Sequence, residues 1–318
     1  MDYIFRSESL QHHTGNHPEC AARLYPYRQM SNSEVPAAEP FLELVHSRSY
    51  IEKIRQYAQN SLPLDADTLT STHSFEAACM GVGASIKAAD TGGFALIRPP
   101  GHHAYPDRAS GFCLFNNVAI AVRHLTAQGK KVLILDIDGH LGDGTSFIFY
   151  NDPKVLFCSL HQYPAFPGNG WIDETGSGPG QGFTINLPMP PGSADDIFWL
   201  GMDFIKPIAK SFDPDVVAVS AGFDAHQLDP LLQLRLSLNC YYRVGRWLSE
   251  HFDDVFAVLE GGYNLKILPQ AIEQFYQGIN QNPELHSEAV TTSNSSVAAV
   301  FNRNLEQLHQ IAREYWPI

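Results

Sequence analysis

The chain has 318 residues, 44% of them hydrophobic and 17% charged, with 21 Lys plus Arg against 34 Asp plus Glu and a net charge of −13. This composition suits one large folded domain over 1–318 and is unlike that of disorder. The lack of any basic run argues against a surface that tracks a phosphate backbone, and no apolar stretch approaches the roughly 20 residues of a membrane span.

The five cysteines, Cys20, Cys79, Cys113, Cys158 and Cys240, are widely spaced without CxxC pairing, and the start "MDYIFRSESL" has no basic then apolar leader pattern. The expectation is a reduced, cytoplasmic protein with no direct nucleic-acid partner and no membrane association. Along the chain, "NSEVPAAEP" (32–40) reads as a surface loop. Short apolar runs at 93–97, 131–137, 154–160, 182–187, 215–221 and 254–260 read as strands covered on both faces. Between and after them, helical spacing falls at 116–128, 194–211, 238–252 and 266–280. A Ser/Asn/Thr-rich patch at 287–296 reads as a link to a last helix near 297–314. Alternation of this kind predicts an α/β fold, a single domain with an open, mainly parallel β-sheet flanked by helices.

Ligands of open α/β sheets gather outside the carboxyl ends of the strands. "FALI" is followed by "RPPGHHA", "VLIL" by "DIDGH", "VAVS" by "AGFDAH" and "FAVL" by "EGGY", so four strand ends should meet in one crevice. Asp138 and His140 are an i, i+2 pair that extended backbone would point the same way. With Asp224 they supply one nitrogen and two oxygens and leave a position for water, the donor set of catalytic zinc. Such a pair alone also suits a helix cap or an ion pair; the second strand end favours the metal. His102 and His103 can exchange protons near neutral pH, with Asp136 and Asp143 available to fix their far nitrogens. Tyr263 follows two glycines that let the backbone turn and aim the phenol at a developing oxyanion. The glycines of "GDGT" (142–145) suit tight packing, since the Lys-Ser/Thr of a phosphate loop is missing. His12, His13 and His17 could line the rim of the site but better suit a role in holding the N-terminal loop, and His161 and His226 suit a supporting one.

"HTGNHPECAARL" (13–24), "RPPGHHA" (98–104), "GFCLFNNVAIA" (111–121), "LDIDGHLGDGT" (135–145), "SLHQYPAFPGNG" (159–170), "SAGFDAHQLDPL" (220–231) and "LEGGYN" (259–264) resemble, in order and spacing, the zinc-dependent histone deacetylase family. The similarity runs from about residue 13 to 265 and looks most like the class II and bacterial amidohydrolase branches. The resemblance implies the arginase/deacetylase fold and a zinc-dependent hydrolase of linear amide C–N bonds. Asp138, His140 and Asp224 would bind one catalytic zinc. His102 and His103 would be the catalytic pair on Asp136 and Asp143, with His103 the general base, and Tyr263 would polarise the substrate carbonyl. Phe112 and Phe166 would clamp an acyl-lysine in a tunnel, with Gly111 and Leu231 beside it. A structural potassium ion would sit near Asp136, Asp138, His140, Ser159 and Leu160.

The family usually follows its metal-binding His with a second His; here Leu141 follows His140. A binuclear arginase-like manganese site needs two later carboxylates where "GFDAH" offers one. The substrate expected is an acetylated lysine in a protein or peptide. An acetylpolyamine or other small acetylated amine is the alternative, which Leu231 disfavours because an acidic residue there would suit a polyamine. Retention of His102, His103 and Tyr263 argues against a non-catalytic metal-bearing interaction module. The oligomeric state stays open at this stage.

Overall fold

The computed structural model describes residues 1–318. Seven strands form one sheet: β1 Tyr3–Phe5, β2 Phe94–Leu96, β3 Val132–Asp136, β4 Val155–Gln162, β5 Thr184–Met189, β6 Val216–Ala221 and β7 Val255–Leu259. The order is β1-β2-β7-β6-β3-β4-β5, and every pairing is parallel. All residues of β2 to β7 are buried. Coverage on both faces explains why these strands read as unbroken apolar runs.

Nine helices surround the sheet: α1 Glu39–Leu42, α2 Arg48–Gln59, α3 Ser74–Thr91, α4 Asn117–Ala127, α5 Asp143–Phe149, α6 Asp195–Phe212, α7 Leu238–His251, α8 Leu268–Ile279 and α9 Ser295–Ala312. None is long and apolar enough to cross a membrane. One continuous cluster of 81 buried apolar residues, from Ile4 to Trp316, makes a single core.

Helices α4, α6, α7, α8 and α9 lie within about two residues of the expected spans. The strand read at 182–187 begins and ends two residues later. Helix α3 escapes a periodicity argument because 11 of its 18 residues are buried and small side chains surround it, so it lacks a polar face. The 287–296 segment is pinned to the body: Thr291 donates to the Arg235 carbonyl at 2.5 Å, and Ser293 donates to Asp196 at 2.7 Å.

The topology positions the crevice. After β3 the chain builds β4 and β5 toward one edge, then returns to the other side of β3 to lay down β6 and β7. That reversal leaves an opening at the carboxyl ends of β3 and β6, where α/β proteins bind ligands. Strands β2, β7, β6 and β3, the four with polar ends, are contiguous in the sheet.

A buried ionic cluster fastens the N-terminal segment over this end. Glu19 accepts from Arg98 Nη2 at 2.7 Å and from Arg23 Nη1 at 3.2 Å, and all three side chains are buried. Arg23 also donates to the carbonyls of Gly262 at 2.7 Å and Glu260 at 2.5 Å, and Arg98 to that of Ser9 at 2.8 Å. Burial alone would raise the Glu19 pKa; Arg98, His12 and Arg23 hold it down to about 2. Glu19→Gln, which leaves two buried guanidinium groups short of a counter-charge, is expected to lower unfolding free energy by about 3–5 kcal/mol in a denaturant titration. Because the folded pKa is depressed, this contribution is present above the unfolded carboxyl value of about 4.3 and lost as pH falls toward about 2.

Candidate active site

Asp136 closes β3, and the next residues turn at once. Asp138 N–H donates to Asp136 Oδ1 at 3.1 Å, Gly139 N–H to Asp224 Oδ1 at 2.6 Å and His140 N–H to Asp138 Oδ1 at 2.9 Å. Asp138 and His140 therefore converge through a chain of carboxylate-capped turns beyond the strand end. Strand alternation, the reason expected from the sequence, does not apply there, because the ladder has already stopped.

Asp138, His140 and Asp224 come together. Each offers one ligand atom, and the three atoms lie within 4.8 Å of one another. His140 Nδ1 is 2.8 Å from Asp224 Oδ2 and 3.3 Å from Asp138 Oδ1. Burial would lower the His140 pKa, yet Asp224 and Asp138 overcome it and raise it to about 10. The cage thus selects for a positive charge. Two buried carboxylate oxygens and one imidazole nitrogen make a donor set that suits a divalent metal such as zinc.

The tandem histidines stand on the turn after β2. His102 Nδ1 donates to Asp136 Oδ2 at 3.2 Å, and His103 Nδ1 to Asp143 Oδ1 at 2.7 Å. The "GDGT" segment leads into α5, whose first residue is Asp143, and Tyr105 donates to its second oxygen at 3.0 Å. The pair is pushed apart electrostatically. Burial opposes charge on both, but Asp138 and Asp136 raise the His102 pKa well above the usual value. A cation on Asp138 would withdraw part of that pull and leave Asp136 as the partner that fixes the His102 ring. For His103, burial and then the neighbouring His102 lower the pKa to about 4, so its ring stays neutral.

Tyr263 rises from the turn after β7, where Gly262 adopts φ +119°, a conformation that glycine alone takes readily. Burial, ahead of its charged neighbours, pushes the Tyr263 pKa well above 10 and keeps the phenol protonated. Its hydroxyl makes no hydrogen bond within the protein. The Arg23 guanidinium lies 5.0 Å from the ring centroid, and the Phe112 ring meets it edge-on at 5.7 Å.

One cavity of about 430 Å³ gathers these groups: His103, His140 and Tyr263 line it with Gly111, Phe112, Phe166 and Leu231. His102 is not part of its lining. Phe166 packs edge-on to His103 at 5.0 Å. Gly111 is pressed against the His103 ring; a Cβ there would lie 2.4 Å from His103 Cδ2. Larger clefts of about 550 and 680 Å³ open elsewhere, around Asp253 and Asp254 just ahead of β7, and hold none of the expected site residues.

Behind the cage, Ser159 pairs with Asp136 across β3 and β4, and Leu160 follows it. His161 Nε2 donates to the Gly170 carbonyl at 3.0 Å, so its Nδ1 accepts from the Ser159 hydroxyl at 2.9 Å. The Asp138 and His140 carbonyls accept no hydrogen bond from the protein. Of the remaining histidines, His12 is buried on Ser74, His17 reaches the cavity mouth against Phe112 at 4.6 Å, and His226 donates to Glu288 at 2.9 Å.

Sequence reasoning missed Glu260 and Asp229. Glu260 Oε2 accepts from the Gly101 and His102 amides at 2.6 and 3.1 Å and so holds the turn that carries the histidines. Asp229 accepts from the Tyr263 amide at 2.7 Å. Both lie in motifs that the sequence displays, but their partners are backbone amides, which leave no mark on residue type.

The family model for the histone deacetylase domain matches residues 6–279. The chain is 35% identical to a probable deacetylase of Archaeoglobus fulgidus, covering 98% of each protein. It is also 35% identical to "Histone deacetylase 14, chloroplastic" of Arabidopsis thaliana, over 89% of this chain and 77% of that one. Among solved structures, the HDA15 HD domain superposes with a TM-score of 0.89 at 30% identity, covering 99% of this chain and 96% of that one.

Zinc that binds only the folded cage should raise the melting temperature by mass action, with about 2.7 kcal/mol of added stability at a hundredfold excess over its dissociation constant. Asp224→Asn should abolish most of this shift in a thermal scan with and without chelator, and an unchanged shift would place the ion elsewhere.

Proposed function

This chain belongs to the histone deacetylase family, and we propose that it is a zinc-dependent hydrolase that removes acetyl groups from the ε-amine of lysine in proteins or peptides. One observation carries the reading: a neutral imidazole, an unpartnered phenol and His140 of a metal-competent cage line a single cavity with aromatic sides. The family implies a metal, and Asp138, His140 and Asp224 would hold it. Zinc supplies Lewis-acid chemistry, activating water and polarising an amide carbonyl.

The side chains account for the rest. Asp143 holds His103 by Nδ1, which leaves Nε2 for the cavity. As the one member of the pair that lines it, His103 takes a proton from water and returns it to the departing lysine amine. His102, bonded to Asp136, adds positive character beside the reacting centre. Tyr263 donates to the amide oxygen as negative charge grows there. Phe112 and Phe166 suit the lysine methylenes, with Gly111 and Leu231 completing the wall.

Leu231, where a carboxylate would attract a polyamine, supports acyl-lysine over acetylpolyamine. The unpartnered Asp138 and His140 carbonyls and the Ser159 hydroxyl, next to Asp136 and Leu160, support a structural potassium ion. All five cysteines are free thiols, which supports a reducing compartment such as the cytoplasm.

Tyr263→Phe should lower kcat by about 10²-fold or more while zinc content stays unchanged; undiminished turnover would remove Tyr263 from the mechanism. Acetate release from acetyl-lysine peptides, longer acyl-lysine peptides and acetylpolyamines, measured with zinc content, tests the substrate class. Preference for the polyamines would overturn the lysine assignment, and a zinc-loaded protein inert on the whole panel would overturn the hydrolase reading.

A further inference from the structure

Asp229 lies in the loop after β6; it is neither one of the cage residues nor part of the cavity lining, and its carboxylate is buried. Oδ1 accepts from the Leu231 amide at 3.1 Å, and Oδ2 accepts from the Tyr263 amide at 2.7 Å and the Asn264 amide at 3.2 Å. Asn264 returns a bond from its side-chain amide to the Leu228 carbonyl at 2.7 Å. Loops that follow two different strands are thus joined by one side chain.

Asp138 and Phe223 hold Gly261, Arg23 holds the Gly262 carbonyl, and Arg23 and Phe112 pack on the ring, but only Asp229 bonds the amide of Tyr263 itself. Its hydroxyl is unpartnered, its segment begins with Gly261-Gly262, and its amide and that of Asn264 make no other hydrogen bond. Gly-Gly backbone is intrinsically free. Through the Tyr263 and Asn264 amides the Asp229 carboxylate fixes the backbone just after that pair, where the phenol must meet the substrate oxygen.

We propose that Asp229 is a positioning residue that sets the Tyr263 phenol over the cavity by anchoring the backbone beneath it, and that its other oxygen ties Leu231 into the same unit. The inference rests on the role given to Tyr263 above. It makes the carbonyl-polarising group and one tunnel wall a single rigid piece, so that the substrate meets both in fixed relation.

The test is a double-mutant cycle with an exchange measurement. Asp229→Ala removes the acceptor of all three amides at once. It should lower kcat about 10- to 100-fold, the scale of a misplaced catalytic group. In a Tyr263→Phe background the same change should cost less than about threefold, because the group it positions is already gone. Amide hydrogen exchange at Tyr263 and Asn264 should accelerate while the core strands stay protected. Asp229→Glu, which keeps both oxygens but moves them by a methylene, serves if the Ala variant unfolds. Fully additive losses, or unchanged exchange at residues 263 and 264, would overturn the inference. Full turnover of Tyr263→Phe alone would instead overturn the role of Tyr263, while exchange still decides whether Asp229 is the anchor.

Discussion

The concentration of buried negative charge at the ends of β3 and β6 is the constraint on which the site depends. Asp136, Asp138 and Asp224 are buried together, and carboxylates cannot be taken from water at acceptable cost unless cations or hydrogen-bond donors meet them. The protein meets the cost in three ways. Backbone amides of residues 138, 139, 140 and 261 turn inward to the carboxylates. Imidazoles crowd against them, and what charge is left would favour a cation in the His140 cage. The raised pKa values of His102 and His140 express this one field at two points.

That field also separates the tandem histidines. Adjacent in sequence and with ring centroids 4.0 Å apart, they would be nearly equivalent in water. Inside, one ring faces the Asp136 and Asp138 charges, while the other is held neutral by burial and then by the first ring's charge, so one favours the imidazolium and the other the free base. Such a split suits the acid and base roles proposed for the pair. Glu260 holds their common backbone through two amides, and Arg23 holds the Glu260 and Gly262 carbonyls from the other side. The ends of β2 and β7 are therefore braced against one another, with the Glu19 cluster as the anchor.

Much of this was legible in the sequence because strand ends and apolar runs are one-dimensional features. The six main strands, five helices and the convergence of "PPGHH", "DIDGH", "GFDAH" and "EGGY" follow from composition and order, and ordered motifs make the family recognisable. What could not be read has a physical cause in each case. Strand β1 is three residues long at an edge, too short for a pattern. Helix α3 is too evenly buried to show a period. Glu260, Asp229 and Arg23 act on backbone atoms, and any chain has those everywhere; only the fold says which ones a side chain reaches.

Leu141 marks the one departure within the central motif, and its surroundings explain why the departure is tolerated. The side chain is 1% exposed, belongs to the apolar core and lies against the Gly170 backbone. The polar groups beside it are already satisfied, since His161 bonds Ser159 through one ring nitrogen and the Gly170 carbonyl through the other. An imidazole at 141 would bring two more polar atoms into this packed space, where each needs a partner to avoid a cost of about 1–3 kcal/mol. Leucine brings none, and its dispersion contacts hold the loop that carries Phe166 against the cavity. The substitution therefore falls beside the loop that carries Phe166, one residue from the cage, and leaves Asp138, His140 and Asp224 unchanged.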